Sequence, residues 1–359
     1  MNILIIMNSI NVKLGGGIIQ VILNYKEALE KQKVNVTYAI NCAKGTEIPK
    51  LLTSKYSKFV ELPNKKKNIF KYCLKISKLL YQNDFDVIHV HGNSANMLLE
   101  LGLAKVFGVK TRIAHSHNST CKYPLFNKLI QPIFRKTYTK GIACSTLAGE
   151  WLFGKNNFNI LNNSIKIDNF LFSNNVREQY RKRLNIDNDT IVMGHVGNIN
   201  EQKNHEFLIE ILKKIHKQVP NSILILIGDG HLRNKIEENI KLNGIEDFVK
   251  ILGMRTDVNC WFQAMDIFVF PSKWEGFGIV LLEAQVAGLP VVASNVIPEA
   301  AIINDNVHIL DLKFNTLDDW LIRIKQSIAE KKDRKIDRKK FEEYDIDMQS
   351  KKLLHYYIG

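Results

Sequence analysis

The chain has 359 residues, more than one ordinary hydrophobic core accommodates, so two domains of about 150 residues each are expected. Its composition, 45% hydrophobic and 24% charged, is that of a soluble globular protein, and no apolar run approaches the roughly 18 residues that span a bilayer. The net charge of +14 is confined to the first half, because residues 1–170 carry 24 Lys and Arg against 9 Asp and Glu, whereas residues 171–359 carry 26 against 27.

Strand-like and helical patterns alternate in the first half. The apolar run Ile3–Met7 has no basic residues ahead of it and no cleavage site after it, so it predicts a buried strand and not a signal peptide. The predicted elements that follow are helices at Ile18–Lys31 and Asn68–Gln82 and strands at Val34–Ile40, Val87–Val90 and Arg112–Ala114. Apolar strands that alternate with helices indicate a parallel sheet covered on both faces.

The second half repeats this alternation after a polar segment, Asn169–Asp189, which is the predicted junction. Its predicted strands are Ile191–Val196, Ser222–Ile227, Val249–Leu252, Ile267–Phe270 and Val291–Ala293, and its predicted helices are Phe207–Gln218, His231–Asn243, Val258–Ala264, Ile279–Ala287 and, near the end, Met348–Tyr357. We therefore expect an α/β protein with two doubly wound domains and ligands beyond the carboxyl ends of the strands. Five scattered cysteines without a C-x-x-C pair favour reduced thiols in a cytoplasmic protein.

The segment from Glu275 to Glu283 suits a ligand that contains a diphosphate. A predicted strand ends shortly before it, and Gly276 and Gly278 allow close approach of the backbone to a ligand. The first N–H groups of the helix that follows favour an anion. Glu283 lies about two helical turns further on, so the two carboxylates can bind hydroxyl groups at different ends of one ligand. A glycine-containing turn with two solvated acids is the alternative.

The pattern E-G-F-G-x-x-x-x-E resembles the paired-glutamate motif of the retaining glycosyltransferases of family 4, in particular bacterial capsule and exopolysaccharide transferases. The resemblance covers essentially the whole chain and implies the GT-B fold, in which two Rossmann-like domains face each other across a cleft. It implies that Glu275 binds the donor sugar, that Gly276, Phe277 and Gly278 present backbone to sugar and phosphate, and that Glu283 binds the nucleotide ribose.

The same resemblance assigns a task to each part of the chain. Residues 1–170 would bind the acceptor, and residues 171–340 would bind the nucleotide sugar, which is expected to be a UDP-sugar. A C-terminal helix within residues 341–359 would cross back to the first domain. The nucleotide sugar is a substrate, so no cofactor is implied, and a metal is not expected to be required.

Residues 194–205 form a second segment suited to phosphate, with a strand, a glycine turn, a basic residue and a helix in that order. The segment resembles the family's G-R-x-x-x-x-K pattern, in which both cations neutralise the donor diphosphate. Lys203 matches the lysine, but Asn198 replaces the arginine and has neither its charge nor its bidentate geometry. Lys273 or Arg255 could substitute for that arginine, and weakened turnover is the alternative. By resemblance, the loop of Arg255 also lies near the nucleotide base.

Histidines lie in or just after two predicted strands of the first half. His117 lies near the end of the stretch Arg112–Asn118, and the resemblance implies that it lies near the donor sugar and helps to order the reacting centre, while His115 supports the loop. A purely structural histidine is the alternative for His117. His89 and His91, one residue apart, are typical of half a metal site. Because no third ligand at a compatible spacing is evident, we interpret them as structural residues.

Gly15, Gly16 and Gly17 follow the first predicted strand. The pattern G-x-G-x-x-G and an acidic residue about 20 positions later are both missing, so NAD binding is not expected. The resemblance implies a glycine-rich loop that closes over the donor phosphates and the acceptor, with Gly16 and Gly17 in contact with the donor. Ile19 stands where many relatives carry Glu, and a simple tight turn is the alternative.

Two segments of the basic half, Asn64–Leu80 and Tyr123–Lys140, combine apolar residues at helical spacing with lysines on the other face. They are either ordinary surface helices that pack on the sheet or a docking surface for anionic lipid, where a lipid-linked acceptor would be found. No motif supports nucleic-acid binding.

These observations predict a cytoplasmic retaining glycosyltransferase of the hexosyl or N-acetylhexosaminyl type, peripheral on the inner face of the plasma membrane. It would transfer a sugar from a UDP-sugar to a free or lipid-linked glycan in surface polysaccharide synthesis. A catalytically silent GT-B subunit and a nucleotide-sugar epimerase are the alternatives. The expected catalytic residues are His117, Lys203 and Glu275, and the expected donor-binding residues are Gly16, Gly17, Asn198, Lys203, Arg255, Glu275, Gly276, Phe277, Gly278 and Glu283.

Overall fold

The structure is a computed structural model that describes residues 1–12, 17–155, 157–330 and 333–358. The chain forms two compact units, one of Met1–Ile165 with Glu343–Gly359 and the other of Lys166–Glu342. Each unit is built on one parallel sheet. The division points follow Ile165 and Glu342, near the points after residues 170 and 340 that the sequence predicts.

Seven parallel strands form the first unit's sheet, in the order β3-β2-β1-β4-β5-β6-β7. The strands are β1 (Asn2–Val12), β2 (Asn35–Cys42), β3 (Ser57–Glu61), β4 (Val87–Gly92), β5 (Thr111–Ser116), β6 (Lys140–Ala143) and β7 (Asn159–Ile160). The helices before the second unit are α1 (Gly17–Lys31), α2 (Ile48–Leu51), α3 (Ile69–Gln82), α4 (Leu98–Val106), α5 (Pro124–Phe134) and α6 (Thr146–Phe153). The direction of winding reverses between β1 and β4.

Six parallel strands form the second unit's sheet, in the order β10-β9-β8-β11-β12-β13. The strands are β8 (Ile191–Val196), β9 (Ser222–Ile227), β10 (Val249–Gly253), β11 (Ile267–Phe270), β12 (Val291–Ser294) and β13 (Val307–Leu310). The helices are α7 (Asn174–Lys182), α8 (His205–Gln218), α9 (Arg233–Leu242), α10 (Val258–Ala264), α11 (Ile279–Val286) and α12 (Leu317–Ala329). Here the winding reverses between β8 and β11, which makes the carboxyl ends of these two strands the expected ligand site.

The predicted doubly wound α/β fold is confirmed in both units. The strands are apolar because helices cover both faces of each sheet; Ile3, Leu4 and Ile6 of β1, for example, are completely buried. Each side chain of this kind contributes about 1.5–3 kcal/mol when it is removed from water. Within the described ranges, no helix has both the length and the apolar character that crossing a bilayer requires.

The final helix, α13 (Ile346–Ile358), belongs to the first unit, where it packs on α1. The chain enters it beside Ile165, whose N–H donates to the Tyr344 carbonyl at 3.0 Å and whose carbonyl accepts from the Ile346 N–H at 3.0 Å. The terminal segment is therefore fixed by backbone hydrogen bonds to the end of the first unit's main segment.

The predicted junction Asn169–Asp189 is not an open linker, since it contains α7, which packs on α10. Polar contacts hold this helix to the rest of the second unit. The buried Arg181 donates to the Ala264 and Asp187 carbonyls at 2.9 and 2.7 Å and forms an ion pair with Asp266 at 3.3 Å. Hydrophobic periodicity does not detect a helix anchored in this way.

Candidate active site

The loops after β8 and β11 meet at the point where the second sheet reverses its winding. The Lys203 ammonium lies 2.6 Å from the Glu275 carboxylate. The Gln202 carbonyl accepts from the Lys273 N–H at 2.8 Å, and the Gln202 side-chain amide donates to the Trp274 carbonyl at 2.8 Å. Two segments about 70 residues apart in the sequence thus form one structure.

The ion pair between Lys203 and Glu275 is shielded from solvent, with side chains that are 12% and 6% exposed. The ammonium also lies 4.4 Å from the centre of the Phe270 ring at the end of β11. A cation held in this position can bind a phosphate, and a carboxylate with few water contacts can accept hydrogen bonds from sugar hydroxyls. Each group is the other's partner in the donor-free protein.

Two glycines after β9 allow this loop to pack directly on the loop after β8. Gly228 has φ +139°, and a Cβ there would lie 2.0 Å from the Gly197 carbonyl oxygen. A Cβ on Gly230 would lie 2.2 Å from the carbonyl oxygen of Ile199. The segment that carries Asn198 is therefore held by backbone on both sides, and larger residues at these two glycines would displace it.

The turn that follows Glu275 leads directly into the N-terminus of α11. Gly278 has φ +78°, the left-handed conformation that favours glycine, and α11 begins at the next residue. Phe277 is buried, whereas Gly276 is partly exposed. The first N–H groups of α11 have no partner within the helix and can donate to an anion.

Glu283 lies inside α11 and is buried, as are nearly all residues of this helix. Burial raises the pKa of its carboxyl to about 8, because the charged form loses the solvation of water. The helix therefore carries an acid whose ionised form needs a partner. Hydroxyl groups of a bound ligand would supply one.

The structure distinguishes the two cations that could replace the missing arginine. Asn198 is half-buried in the loop after β8. Arg255 donates two hydrogen bonds to Asp257, both of 2.8 Å, which use its bidentate geometry. Lys273 is exposed, and its backbone is bonded to the loop of Lys203. Lys273 thus belongs to a segment that is bonded to the loop of Lys203, whereas the guanidinium of Arg255 is paired with Asp257.

The remaining predicted residues belong to the first unit. His117 is buried just beyond β5, and Gly17 is the first residue of α1, with open space where a Cβ would lie. Gly16, like Gly15, lies outside the described residues.

His117 is one of four histidines that form a histidine ladder on one face of the first sheet. His89 and His91 lie on β4, and the parallel register places His91 beside His115 of β5. The rings of His89 and His91, and those of His115 and His117, have centroids 4.1 Å apart. Sequence reasoning missed this cluster because it depends on the register of two strands.

Three of these residues have the composition of a metal site, since ring nitrogens of His89, His91 and His115 lie within 4.8 Å of one another. His115 is thus the third neighbour that sequence spacing did not reveal. The cavity beside them admits about one water molecule. Its other lining residues are apolar or phenolic: Ile5, Ile22, Tyr25, Leu161, Leu353 and Tyr357. None of these carries a carboxylate to offset a divalent charge, and the rings bond to one another, so we interpret the ladder as a hydrogen-bonded network.

Acid should destabilise the protein through this ladder. Burial lowers the pKa of His89 and His117 to about 3 from 6.5, so the unfolded chain binds protons that the folded chain does not. The stabilising contribution is complete above pH 6.5 and is lost as the pH falls towards 3. At pH 5 each group should have lost about 2 kcal/mol relative to pH 8. Urea unfolding from pH 5 to 8 should show a shallower pH dependence for His89→Phe than for the wild type, and equal slopes would contradict this origin.

The architecture of two doubly wound units is that of the GT-B glycosyltransferases. HepE of Anabaena, solved in complex with UDP and glucose, superposes with a TM-score of 0.80 at 17% identity and covers 98% of each chain. A family model described as "Glycosyl transferases group 1" matches residues 176–346, and one described as "Glycosyltransferase Family 4" matches residues 15–152. Together the two models span most of the chain, which belongs to glycosyltransferase family 4. The resemblance drawn from the motifs is confirmed.

Similar proteins include glycosyltransferases named for O-antigen biosynthesis and for capsular polysaccharide biosynthesis. EpsF of Bacillus subtilis (strain 168), named as a glycosyltransferase, is 29% identical over 301 residues, which cover 79% of this chain and 77% of EpsF. The UDP-Gal:alpha-D-GlcNAc-diphosphoundecaprenol alpha-1,3-galactosyltransferase of Escherichia coli is 23% identical over 266 residues, which cover 70% of this chain and 68% of that enzyme.

Proposed function

We propose that this glycosyltransferase transfers a sugar from a UDP-sugar to a glycan acceptor in surface polysaccharide synthesis, with retention of anomeric configuration. The observation that carries the proposal is the shielded Lys203–Glu275 pair, in which Glu275 lies in the turn before α11, with Glu283 buried inside that helix. The HepE complexes with UDP and the galactosyltransferase named for UDP-Gal support the choice of nucleotide.

In the proposed complex the donor separates the ion pair. The diphosphate binds the Lys203 ammonium and accepts hydrogen bonds from the first N–H groups of α11, and Glu275 becomes free to accept hydrogen bonds from sugar hydroxyls. Ionised Glu283 accepts from the ribose hydroxyls. His117 is proposed to help order the sugar from the first unit.

The chemical step then exchanges one bond for another at the anomeric carbon. The bond between this carbon and the donor phosphate oxygen breaks, and a bond to the acceptor oxygen forms on the same face. The departing phosphate takes the acceptor's hydroxyl proton. Lys203 and the N-terminus of α11 stabilise the negative charge that develops on the diphosphate.

A panel of nucleotide sugars tests the donor. UDP-Glc, UDP-Gal, UDP-GlcNAc and GDP-Man are assayed for thermal stabilisation of the protein and for slow hydrolysis. We expect a UDP-sugar to stabilise the wild type, Asn198→Arg to bind it more tightly, and Lys273→Ala to bind it more weakly. If no donor stabilises the wild type and Asn198→Arg restores none, the transferase assignment fails.

The same assays separate the alternatives. A silent subunit would bind a donor without hydrolysing or transferring it, even when Asn198→Arg restores the cation. An epimerase would interconvert UDP-sugars without an acceptor. The shielded Lys203–Glu275 pair favours the transferase, because both groups would act on the donor's reacting end.

We also propose that α3 and α5 dock the protein on an anionic bilayer, which is where a lipid-linked acceptor would lie. The alternative, in which the apolar residues of these helices pack on the sheet, does not hold for several of them: Phe70 and Leu125 are 79% and 86% exposed. α3 packs on α4, and α5 packs on the short 3-10 turn that leads into α4, so these helices lie on one face of the sheet. Further exposed apolar residues on these helices include Ile69, Leu74, Phe126, Leu129 and Ile133.

Charge complementarity supports an anionic bilayer as the occupant of this surface. The exposed cations that accompany the apolar residues are Lys66, Lys67, Lys71, Lys75, Lys78, Lys128, Arg135 and Lys136. Apolar side chains that project between cations insert at the interface of a bilayer while the cations bind anionic headgroups. Each basic residue near such a surface contributes about 1 kcal/mol.

Co-sedimentation with lipid vesicles tests the proposed membrane docking. The wild type should co-sediment with vesicles that contain phosphatidylglycerol, and binding should fall in high salt because the attraction is screened. Leu125→Gln/Leu129→Gln should weaken binding at least about tenfold, since two apolar contacts are lost. Leu242→Gln is the matched control: Leu242 is 81% exposed but lies on α9 in the second unit. Equal loss in both variants, or no binding at low salt, would contradict the proposal.

A further inference from the structure

The histidine ladder joins His117 to His91 by a hydrogen bond and to His115 by ring stacking. His89 and His91 alternate along β4, His115 lies on β5 and His117 directly follows β5, so the four rings share one face of the sheet and stack in pairs. All four are buried, and burial lowers the pKa of each. The rings are therefore neutral at pH 7, and each carries one N–H and one acceptor nitrogen.

Two hydrogen-bonded branches run through the ladder. In one, the Tyr357 hydroxyl lies 2.8 Å from Nδ1 of His89, whose Nε2 lies 3.1 Å from Nδ1 of His115. In the other, Nδ1 of His91 lies 2.8 Å from Nε2 of His117. The opposite nitrogen of His117, Nδ1, is buried and has no hydrogen-bond partner among the described residues.

We propose that His91 is a positioning residue for His117: its hydrogen bond fixes the ring and selects the tautomer, and thereby decides whether the free Nδ1 of His117 donates to the donor sugar or accepts from it. The proposal rests on the proposed role of His117 at the donor. Its physical basis is that the hydrogen bond at one ring nitrogen determines the proton on the other.

Two proton arrangements keep the hydrogen bond between the two rings, and because the rings have different neighbours, His89 for His91 and His115 for His117, we expect one arrangement to predominate. If His91 Nδ1 carries the proton and donates, His117 must hold its own proton on Nδ1, which becomes a donor. If His117 Nε2 donates to His91 instead, the free Nδ1 is an acceptor. Without a partner at Nε2, both tautomers of His117 become available and the ring can rotate, so only part of the population is ready to bind the sugar.

Three substitutions separate positioning from packing. His91→Phe keeps a buried aromatic ring that can stack but removes the hydrogen bond. His91→Asn keeps a polar group close to the position of Nδ1. His89→Phe is the matched control, because His89 is two residues away on the same strand and equally buried but bonds to Tyr357 and His115.

Nitrogen-15 NMR of the imidazole rings reports the tautomer of His117 directly, without an activity assay. Wild-type His117 should show one tautomer at pH 7, as should His91→Asn and His89→Phe, whereas His91→Phe should show a mixture. A wild-type mixture, or one tautomer in His91→Phe, would overturn the proposal. So would a purified protein that contains one equivalent of metal which is lost in His89→Phe. These outcomes hold even if no donor is found, so failure of the inference is distinct from failure of the proposed function.

Kinetics then show whether the tautomer matters for transfer. His91→Phe should lower kcat about tenfold or more with less than about a threefold change in KM for the donor, because orientation is lost more than binding. His91→Asn should recover most of kcat, and His89→Phe should remain within about twofold of the wild type. Equal losses of kcat in His91→Phe and His89→Phe would show that the ladder only packs the unit.

Discussion

Replacing Lys203 by alanine is expected to lower kcat/KM for the donor by about 10²–10³ and to destabilise the donor-free protein by about 3–5 kcal/mol. The catalytic loss follows because Lys203 is the cation proposed to stabilise the departing diphosphate, in a segment where Asn198 supplies no charge. The loss of stability follows because the Glu275 carboxylate, only 6% exposed, loses the ammonium that lies 2.6 Å away and neutralises its charge.

A double variant separates the two effects. Lys203→Ala/Glu275→Gln removes both charges, so it should recover most of the lost stability but none of the activity. Lys214→Ala is a suitable control, because Lys214 pairs with Asp318 at 2.7 Å while both side chains are well exposed. Its cost in urea unfolding should be below about 1 kcal/mol. If Lys203→Ala is no less stable than Lys214→Ala, the pair is not shielded in solution.

The sequence carried the information for the strands and for the donor motif, because both are local. Buried parallel strands are continuous apolar runs, and β8, β9 and β11 begin and end where these runs do. The motif from Glu275 to Glu283 combines a strand end, two glycines and a helix start within a few residues. Short strands such as β3 and β6 escaped prediction because they contain few residues and weak patterns.

What the sequence could not supply depends on contacts between distant residues. The Lys203–Glu275 pair requires the order of β8 and β11 in the sheet, and the histidine ladder requires the register of β4 and β5. The apolar faces of α3 and α5 were visible as patterns, but their exposure depends on what other elements cover. Periodicity shows that a face is apolar and leaves open which partner it meets.

Glu283→Gln should stabilise the donor-free protein at neutral pH and at the same time abolish tight donor binding. Burial raises the pKa of Glu283 to about 8 from 4.5. Between these values the folded protein keeps the proton and the unfolded chain releases it. The stabilising contribution of the protonated carboxyl is thus complete below pH 4.5 and is lost as the pH rises through 8.

The size of the effect follows from the same two values. At pH 7 the unfolded chain gains about 3 kcal/mol from ionising this carboxyl, which the glutamine variant does not offer. The stability difference between Glu283→Gln and the wild type should therefore grow from pH 5 to pH 8 in urea unfolding experiments. Glu238→Gln, on the exposed surface of α9, should stay within about 0.5 kcal/mol of the wild type throughout.

With the donor bound, glutamate is favoured over glutamine at position 283, because an ionised carboxylate accepts hydrogen bonds from two ribose hydroxyls better than a neutral amide does. Glu283→Gln should therefore weaken UDP binding about 10- to 100-fold in calorimetry, which corresponds to the loss of charge-assisted hydrogen bonds. Wild-type binding at pH 7 should also release a proton, seen as a dependence of the binding enthalpy on the buffer, and the variant should release none. A stabilised variant that still binds UDP tightly would place the ribose elsewhere, whereas weak binding without stabilisation would show that Glu283 is already ionised before the donor arrives.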